Sequence, residues 1–199
     1  MSRKIKNLIF DIGGVIILRK NIDFFKFDKK FKLEVGTIEK IVNTCFKKKM
    51  VDKNFKEKPF FEKNFFHFLN WSDYQKILEK IYETEKVNRS LLNWIKKKKK
   101  KYKIFLLTNN TAVLRSLLKE KFKMDYFFDF IFNSAEIGLT KPSPKFFEYF
   151  LKKIQSSPRE CLFVDDNLKN IRVAKKIGFL AILFENNKDF LARIQKLGI

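Results

Sequence analysis

Asp11 is the single charged residue in the apolar run LIFDIGGVIIL, which extends from Leu8 to Leu18. Burying an unpaired carboxylate costs several kcal/mol, so such a residue is expected to be paired, bound to a metal or neutralised. Other polar residues with suitable chemistry also follow apolar runs: Thr108 with Asn109, Lys141 in GLTKPSPKF, and Asp165 with Asp166. A carboxylate, a hydroxyl, a lysine and a carboxylate pair, each at the end of a run, indicate one shared site.

The apolar runs that precede these residues have the pattern of buried strands. Their apolar residues are continuous rather than alternating, which is typical of parallel strands covered on both faces. The predicted strands are Ile5–Phe10, Ile104–Leu107, Cys161–Val164, Phe179–Phe184 and a less marked run, Phe130–Phe132. Because the carboxyl ends of parallel strands lie at one edge of a sheet, we expect the polar residues to meet in one crevice.

Helical patterns lie between these runs, so that strands and helices alternate. Helices are predicted over Asn88–Lys100, Ala112–Phe122, the segment KFFEYFLKKI opened by Ser143–Pro144, and Leu168–Ile177. Serine before proline is a helix start signal, and Gly178 suits the left-handed position that follows a helix. The alternation predicts the α/β class with a doubly wound parallel sheet.

Residues 18–87 interrupt this alternation. The segment is rich in Phe and Lys, and it has helical patterning over Ile38–Lys47, Pro59–Leu69 and Ser72–Glu83 without a convincing strand. An insert of this size after the first strand predicts an all-helical cap domain over the crevice. The expected organisation is therefore an α/β core domain formed by residues 1–17 and 88–199, with a cap domain at 18–87.

The chain has a large positive charge. Its 44 Lys and Arg against 22 Asp and Glu give a formal net charge of +22. Such a charge is compatible with nucleic acid or another anionic partner. The lysines are scattered, however, and accompany abundant Phe, Ile and Asn, so compositional drift is the favoured explanation. The run Lys96–Lys101 lies at the end of a predicted helix, where cations complement the helix dipole.

Compartment and membrane signals are sparse. Cys45 and Cys161 lie far apart without metal-ligand spacing, as expected of reduced thiols. The N-terminal residues leave no room for a signal sequence before Asp11, and no apolar run approaches the ~20 residues of a membrane span. We expect a cytoplasmic protein that does not enter a membrane; the sequence indicates no particular oligomeric state.

Four motifs together resemble those of the haloacid dehalogenase superfamily: FDIGGV, LLTNN, KPSPKFF and FVDDN. The resemblance covers the core, and the insert occupies the position of that superfamily's helical cap. The segment GLTKP…FVDDNLKNIRVAKKIGF is most similar to phosphatases of sugar phosphates, including bacterial glucose-1-phosphate phosphatases. The resemblance implies a Rossmann-like core and a magnesium-dependent phosphatase that hydrolyses a small phosphorylated metabolite.

The resemblance also implies roles for single residues. Asp11 would be the nucleophile that forms an aspartyl-phosphate, and a magnesium ion would offset its repulsion from phosphate. The implied metal ligands are Asp11, the main-chain carbonyl of Gly13, Asp166 and Asp165, the last either as a ligand or as a partner of the ligands. The groups implied to hold the phosphoryl oxygens are Thr108, the backbone amide of Asn109 and the catalytic Lys141.

Gly13 departs from the pattern of the superfamily. Most phosphatases of this superfamily have a second Asp there, which protonates the leaving group and later activates water. A backbone metal contact survives the change to glycine, but the side-chain acid is lost, and general acid–base help is typically worth about 10²–10⁴-fold. An anomeric sugar phosphate has a better leaving group than an alkyl phosphate, which favours that substrate class. His67, the only histidine, is a candidate substitute acid, but packing or partial exposure on the predicted cap helix is favoured, because one histidine without a placed partner predicts little.

Two alternatives remain open at this stage. A 2-haloacid dehalogenase also uses an Asp ester and lacks the second Asp, but it needs no metal, which leaves the Asp165–Asp166 pair unexplained. A catalytically weak relative that binds anions or RNA would account for both Gly13 and the charge.

Overall fold

The computed structural model describes residues 4–19 and 22–199. Its strands are β1 (Asn7–Phe10), β2 (Ile17–Arg19), β3 (Glu85–Val87), β4 (Lys103–Thr108), β5 (Phe130–Asn133), β6 (Cys161–Asp165) and β7 (Leu180–Leu183). Five of them form a parallel sheet in the order β5-β4-β1-β6-β7. The predicted α/β class and parallel sheet are confirmed.

The α-helices of the described residues follow the strands and also form the insert. They are α1 (Phe24–Phe31), α2 (Thr37–Val51), α3 (Glu57–Phe65), α4 (Trp71–Glu83), α5 (Arg89–Lys98), α6 (Leu114–Ser116), α7 (Ser134–Ile137), α8 (Pro144–Ile154), α9 (Leu168–Ile177) and α10 (Asn187–Lys196). Short 3-10 turns cover Asp125–Phe127 and Pro158–Glu160, and a π turn covers Leu117–Lys121.

Both faces of the sheet are buried, which explains the continuous apolar runs. Alternate residues of β1, β4 and β6 pack on one side against α5 and α10, where Leu8, Phe10 and Leu106 contact Ile95 and Phe190 in one apolar cluster. The residues between them face α8 and α9 in a second cluster, formed by Ile9, Phe105, Leu107, Phe163, Phe147, Phe150 and Ala174 among others. The sheet therefore separates two cores, and the polar residues lie at its edge.

Several helices begin and end where the sequence predicts. Helix α9 spans the predicted residues, and Gly178 follows it with a φ of +108°. Ser143 occupies the N-cap position of α8, but its side chain accepts no hydrogen bond there. The helix predicted over Ala112–Phe122 is wrong in detail. The short α6 is followed by a π turn, closed by a hydrogen bond from the Phe122 amide to the Leu117 carbonyl.

Helices α1–α4 form a unit with an apolar core of its own, which includes Ile38, Cys45, Phe61, Tyr74 and Ile77. The expectation that residues 18–87 are all helical is wrong at the boundaries, because β2 and β3 form a two-stranded antiparallel sheet with three residue pairs. These strands are the two connections between the core and the inserted helices, and their backbone groups pair side by side. Strands of three residues are too short for a periodic pattern to show. The division at residues 17 and 88 stays a prediction, and residues 20 and 21 lie outside the described residues.

Asp28 in α1 is buried within this helical unit. Its two carboxylate oxygens accept hydrogen bonds from the backbone amides of Gly36 (2.7 Å) and Ile38 (2.8 Å) at the start of α2. The carboxylate thus serves as a cap supplied by a neighbouring helix, which satisfies amides that have no partner within α2.

None of the helices in the described ranges combines the length and the apolar character that crossing a membrane requires.

Candidate active site

Asp11 lies directly after β1, where the sheet ladder continues for one more residue. Its amide donates to the carbonyl of Val164 in β6 (2.8 Å), and its own carboxylate oxygen Oδ1 accepts from the amide of Ile12 (2.7 Å). The side chain is 13% exposed. These contacts fix a nearly buried carboxylate at the carboxyl edge of the sheet while leaving part of it open to the crevice.

Lys141 pairs with Asp11 and with Asp165. Its Nζ lies 3.0 Å from Oδ1 of Asp11 and 2.6 Å from Oδ2 of Asp165, and the lysine side chain is 1% exposed. The cation therefore lies between the residue that follows β1 and the last residue of β6. The structure brings together three of the residues that the sequence predicts for the site.

Asn109 holds the backbone of Lys141 through its side chain. Its Nδ2 donates to the Lys141 carbonyl and its Oδ1 accepts from the Lys141 amide, both at 2.8 Å. The sequence led us to expect a role for the backbone amide of Asn109 and gave no role to its side chain. The observed pair of hydrogen bonds orients the loop that carries the lysine.

Asp165 is buried and its oxygens are fully engaged. Besides Lys141, they accept from Nδ2 of Asn170 (2.9 and 3.0 Å) and from the amide of Asn167 (2.8 Å). Sequence reasoning missed Asn170. The available signal was its place three residues after Asn167, the N-cap of α9, which puts it in the first turn beside the strand end.

Asp166 has a different environment from Asp165, because its side chain faces solvent. Gly14 lies against it with a φ of +72°, and a Cβ built on that glycine would be 1.9 Å from Oδ2 of Asp166. Only a residue without a side chain permits this approach. Gly14 therefore sets how close the carboxylate comes to the loop that follows Asp11.

The three aspartates form an acidic cluster that could hold a metal ion. One oxygen each of Asp11, Asp165 and Asp166 lies within 4.8 Å of the others. Carboxylate oxygens at this spacing suit a hard divalent cation, which also takes backbone carbonyls and waters. The donor set therefore fits the magnesium ion that the sequence implies, with Asp11 and Asp166 the carboxylates that have room for it.

The pKa values of the acids and the lysine reflect their crowding. Burial raises the pKa of Asp11 above its usual value; Lys141 opposes this effect and Asp165 adds to it. Burial alone lowers the pKa of Lys141, but the two carboxylates together outweigh it and raise that pKa. Partial desolvation and the charges of Asp11 and Asp165 raise the pKa of Asp166 to about 6. The lysine stays cationic, while the crowded carboxylates favour an added cation.

Thr108 ends β4 with a buried hydroxyl. Its Oγ1 has no hydrogen-bond partner of ordinary geometry among the described residues, and it contributes a small lowering of the Asp11 pKa. Buried polar atoms are normally hydrogen-bonded, and an exception points to a missing partner. A ligand oxygen beside Asp11 would supply that partner.

Gly13 and His67 complete the predicted set. A Cβ at Gly13 would meet no atom within 4 Å, so the position beside Asp11 is open space. His67 lies in the turn after α3, exposed, with its ring tilted 43° to that of Phe68 at 4.0 Å between ring centroids. The exposed position agrees with the packing or partial exposure that the sequence favours, and a role as a substitute acid stays an untested alternative.

A family model described as a haloacid dehalogenase-like hydrolase matches residues 5–178 of the chain. Among curated proteins, the D-ribitol-5-phosphate phosphatase of Bacteroides thetaiotaomicron is 31% identical over 105 residues, which cover 50% of this chain and 51% of that protein. The bifunctional epoxide hydrolase 2 of Mus musculus is 29% identical over 116 residues, which cover 56% of this chain and 21% of that protein. The chain thus spans about half of the first relative's length and about a fifth of the second's.

Solved structures share the fold over nearly the whole chain. A haloacid dehalogenase-like hydrolase from Porphyromonas gingivalis has a TM-score of 0.78 at 22% identity and covers 97% of both chains. A family enzyme from Bacteroides thetaiotaomicron, solved in complex with magnesium and inorganic phosphate, has a TM-score of 0.72 at 21% identity, covering 94% of this chain and 98% of that one. At these identities the similarity establishes the fold. The match of the family model over most of the chain shows that the protein belongs to the haloacid dehalogenase-like hydrolases.

Proposed function

We propose that the protein is a magnesium-dependent phosphatase that hydrolyses a small phosphorylated metabolite, with a sugar phosphate as its substrate class. One observation carries the proposal: a buried lysine joins Asp11 to Asp165 at the sheet edge, next to the open carboxylate of Asp166. The naming of a relative as a D-ribitol-5-phosphate phosphatase supports a small phosphorylated sugar or sugar alcohol as substrate, without favouring an anomeric phosphate. A neighbour of the same fold with bound magnesium and phosphate supports the cofactor.

Asp11 is the nucleophile in this proposal. Its free carboxylate oxygen attacks phosphorus, the bond from phosphorus to the leaving oxygen breaks, and an aspartyl-phosphate forms. Water then attacks the phosphorus of that ester and releases inorganic phosphate with the carboxylate regenerated. Splitting one displacement into two easier steps is the advantage of a covalent intermediate.

Asp11, Asp166 and the carbonyl of Gly13 would hold the cation. The bound magnesium ion supplies positive charge that offsets the repulsion between carboxylate and phosphate. Asp165 acts differently, because Lys141, Asn170 and the Asn167 amide occupy its oxygens. We assign Asp165 to the orientation of Lys141 rather than to a direct bond with the metal.

Donors at the end of β4 and in the Lys141 loop are assigned to the phosphoryl group. The unpartnered hydroxyl of Thr108, the backbone amide of Asn109 and the ammonium of Lys141 bind its oxygens. Donors that are fixed before the reaction stabilise charge on these oxygens at little reorganisation cost. The Asn109 side chain contributes by holding the loop of Lys141 in place.

Gly13 narrows the substrate class. With no side-chain acid at this position, the leaving group departs without a proton from the residue two places after Asp11. A sugar 1-phosphate tolerates this better than an alkyl phosphate, since its anomeric oxygen is the better leaving group. Sugar 1-phosphates should therefore be turned over faster than terminal phosphates of the same sugars.

The test is phosphate release from sugar 1-phosphates, terminal sugar phosphates and p-nitrophenyl phosphate, with magnesium and with EDTA. We expect hydrolysis that EDTA abolishes and that Asp11→Asn lowers by more than about 10³-fold. Asp23→Asn is the matched control, because Asp23 is an exposed aspartate in the insert and its change should leave the rate unaltered. Full activity in EDTA, normal turnover by Asp11→Asn, or chloride release from a 2-haloacid in EDTA would contradict the proposal.

A further inference from the structure

The loop between Asp11 and β2 is closed by backbone hydrogen bonds within the loop and to Ile17, the first residue of β2. The Ile12 carbonyl accepts from the amides of Ile16 (3.0 Å) and Ile17 (2.7 Å), and the Ile17 carbonyl accepts from the Gly14 amide (2.9 Å). These bonds close the turn but connect it only to itself. The shape of the loop matters, because it carries Gly14 against Asp166.

Asn88 connects this loop to the rest of the core. Its Nδ2 donates to the Val15 carbonyl (3.0 Å) and its backbone amide donates to the Ile16 carbonyl (2.8 Å). Asn88 is 4% exposed, so neither bond competes with bulk water. Two successive carbonyls of the loop are thus fixed by one residue at the point where the chain returns from the insert.

A second asparagine orients Asn88. Asn187 at the start of α10 forms a reciprocal amide pair with it, in which each Nδ2 donates to the other Oδ1, at 2.9 and 2.8 Å. Helix α10 is itself anchored to the sheet, since Phe190 contacts the ring of Phe10 in β1 at 6.3 Å between centroids. The orientation of the Asn88 amide is therefore tied to the strand that ends at Asp11.

We infer that Asn88 is a positioning residue for the nucleophile loop, with Asn187 fixing the direction of its amide group. The inference rests on the proposed function, because it concerns the rate at which Asp11 reacts. Asn88 touches neither the acidic cluster nor Lys141 in the contacts described here. It acts through Val15 and Ile16, which lie next to the two glycines.

An ordinary capping role accounts for only part of what Asn88 does. Its Oδ1 accepts from the Leu91 amide (3.2 Å) as the N-cap of α5, a role that Asp fills equally well. Capping needs the acceptor alone, whereas the bond to Val15 needs the amide donor. Asn88→Asp keeps the shape and the cap, and places a carboxylate oxygen against the Val15 carbonyl.

The experiment compares Asn88→Asp with Asn186→Asp, a matched change at the N-cap of α10. Asn186 accepts from the Asp189 amide, and Asp should preserve that bond. We expect Asn88→Asp to lower kcat at least about tenfold with little change in KM, and to speed amide hydrogen exchange in residues 12–17 by a similar factor, as loss of a buried hydrogen bond allows. Asn186→Asp should change neither quantity.

Hydrogen exchange separates failure of this inference from failure of the proposed function. If the wild type releases no phosphate from any substrate, the proposed function fails, while exchange in residues 12–17 still tests the role of Asn88. Unchanged exchange and an unchanged kcat in Asn88→Asp would overturn the inference. If that variant does not fold, Asn187→Ala removes only the orienting partner; about threefold faster exchange in the loop supports the inference, and unchanged exchange overturns it.

Discussion

The sheet edge and the helical insert each bury an aspartate, and the two carboxylates are satisfied in different ways. Asp28 in the insert accepts from two backbone amides, so its charge is used to join α1 to α2. Asp165 at the sheet edge accepts from the ammonium of Lys141 and from Asn170. A buried carboxylate such as Asp28, whose hydrogen-bond donors are backbone amides, stabilises the packing of helices. A buried ammonium that is shared with Asp11 makes Asp165 part of the candidate site.

The comparison between the sheet edge and the insert extends to two glycines, Gly14 and Gly36, which both have a left-handed backbone conformation. Gly14 has a φ of +72° and touches Asp166, whereas Gly36 in the insert has a φ of +88° and open space where a Cβ would lie. We expect Gly14→Ala to lower phosphate release by about 10²-fold or more, because the Cβ displaces Asp166 by about an ångström. Steady-state rates with saturating magnesium measure the effect.

Gly36→Ala is the control for backbone strain. A non-glycine residue in the left-handed region costs about 1–2 kcal/mol, and both alanine variants carry that cost. Both should therefore lose stability in urea unfolding, and Gly36→Ala should keep its rate. Equal activity of the two variants would show that the contact of Gly14 with Asp166 has no catalytic consequence.

The next largest effect is expected at Asp28. Asp28→Asn removes one of the two acceptor oxygens that cap α2 and leaves a buried amide donor unsatisfied, which costs about 1–3 kcal/mol. The free energy of unfolding should fall by this amount while kcat stays unchanged. Exposed Asp23→Asn, the reference variant, should stay within about 0.5 kcal/mol of the wild type. A loss of kcat without a loss of stability would mean that the insert carboxylate contributes to the chemistry.

Gly13→Asp should increase activity. The position has room for a side chain, and its backbone lies outside the left-handed region. A carboxyl group there would protonate the leaving group, and we expect terminal alkyl phosphates to gain about tenfold, less than the usual ~10²–10⁴-fold of general acid help. Gly13→Asn has the same size without the acid and should gain nothing. Equal rates for the two variants would exclude proton donation as the cause.

The smallest effect is expected at the opposite end of the sheet, where Glu160 precedes β6. Lys6, the Ser157 amide and the Ser156 hydroxyl hold the pKa of Glu160 at about 2, below its usual 4.5. A lowered folded pKa stabilises the protein above the unfolded pKa, and the effect is lost as pH falls from about 4.5 to about 2. Glu160→Gln should therefore lower Tm slightly at pH 7, and the difference from the wild type should shrink in that window. A Tm difference that persists below pH 2 would contradict this origin.

The sheet could be predicted because both of its faces are buried, and each of its strands therefore has a continuous apolar run in the sequence. Helix α1 could not, because its pattern FFKFDKKF contains Asp28 at a buried position that a polarity rule assigns to solvent. No helix is predicted after the strand Phe179–Phe184, where the structure has α10. The strands β2 and β3 depend on two distant segments pairing, which no local pattern records.

The residues of the candidate site could be predicted from the sequence, but their separate roles could not. The sequence indicates that Asp11, Lys141, Asp165 and Asp166 belong together, because each follows a strand or a motif at the same edge. It leaves open whether Asp165 is a metal ligand or a partner of the ligands, since the difference from Asp166 arises from Asn170 and Gly14 in the folded chain. It also gives no role to the Asn109 side chain, whose hydrogen bonds are to the backbone of a residue 32 positions away.

The paired strands β2 and β3 have a consequence for how this protein can change. Arg19 and Glu85 are directly opposite each other in the ladder and are joined by an ion pair of 2.7 Å. The two ends of the inserted segment are therefore neighbours, and a tight turn could join them without redirecting the chain on either side. An inserted segment whose two ends are neighbours can be lengthened, shortened or exchanged while the backbone of the core stays unchanged. Diversification of substrate preference in such an architecture needs no redesign of the sheet.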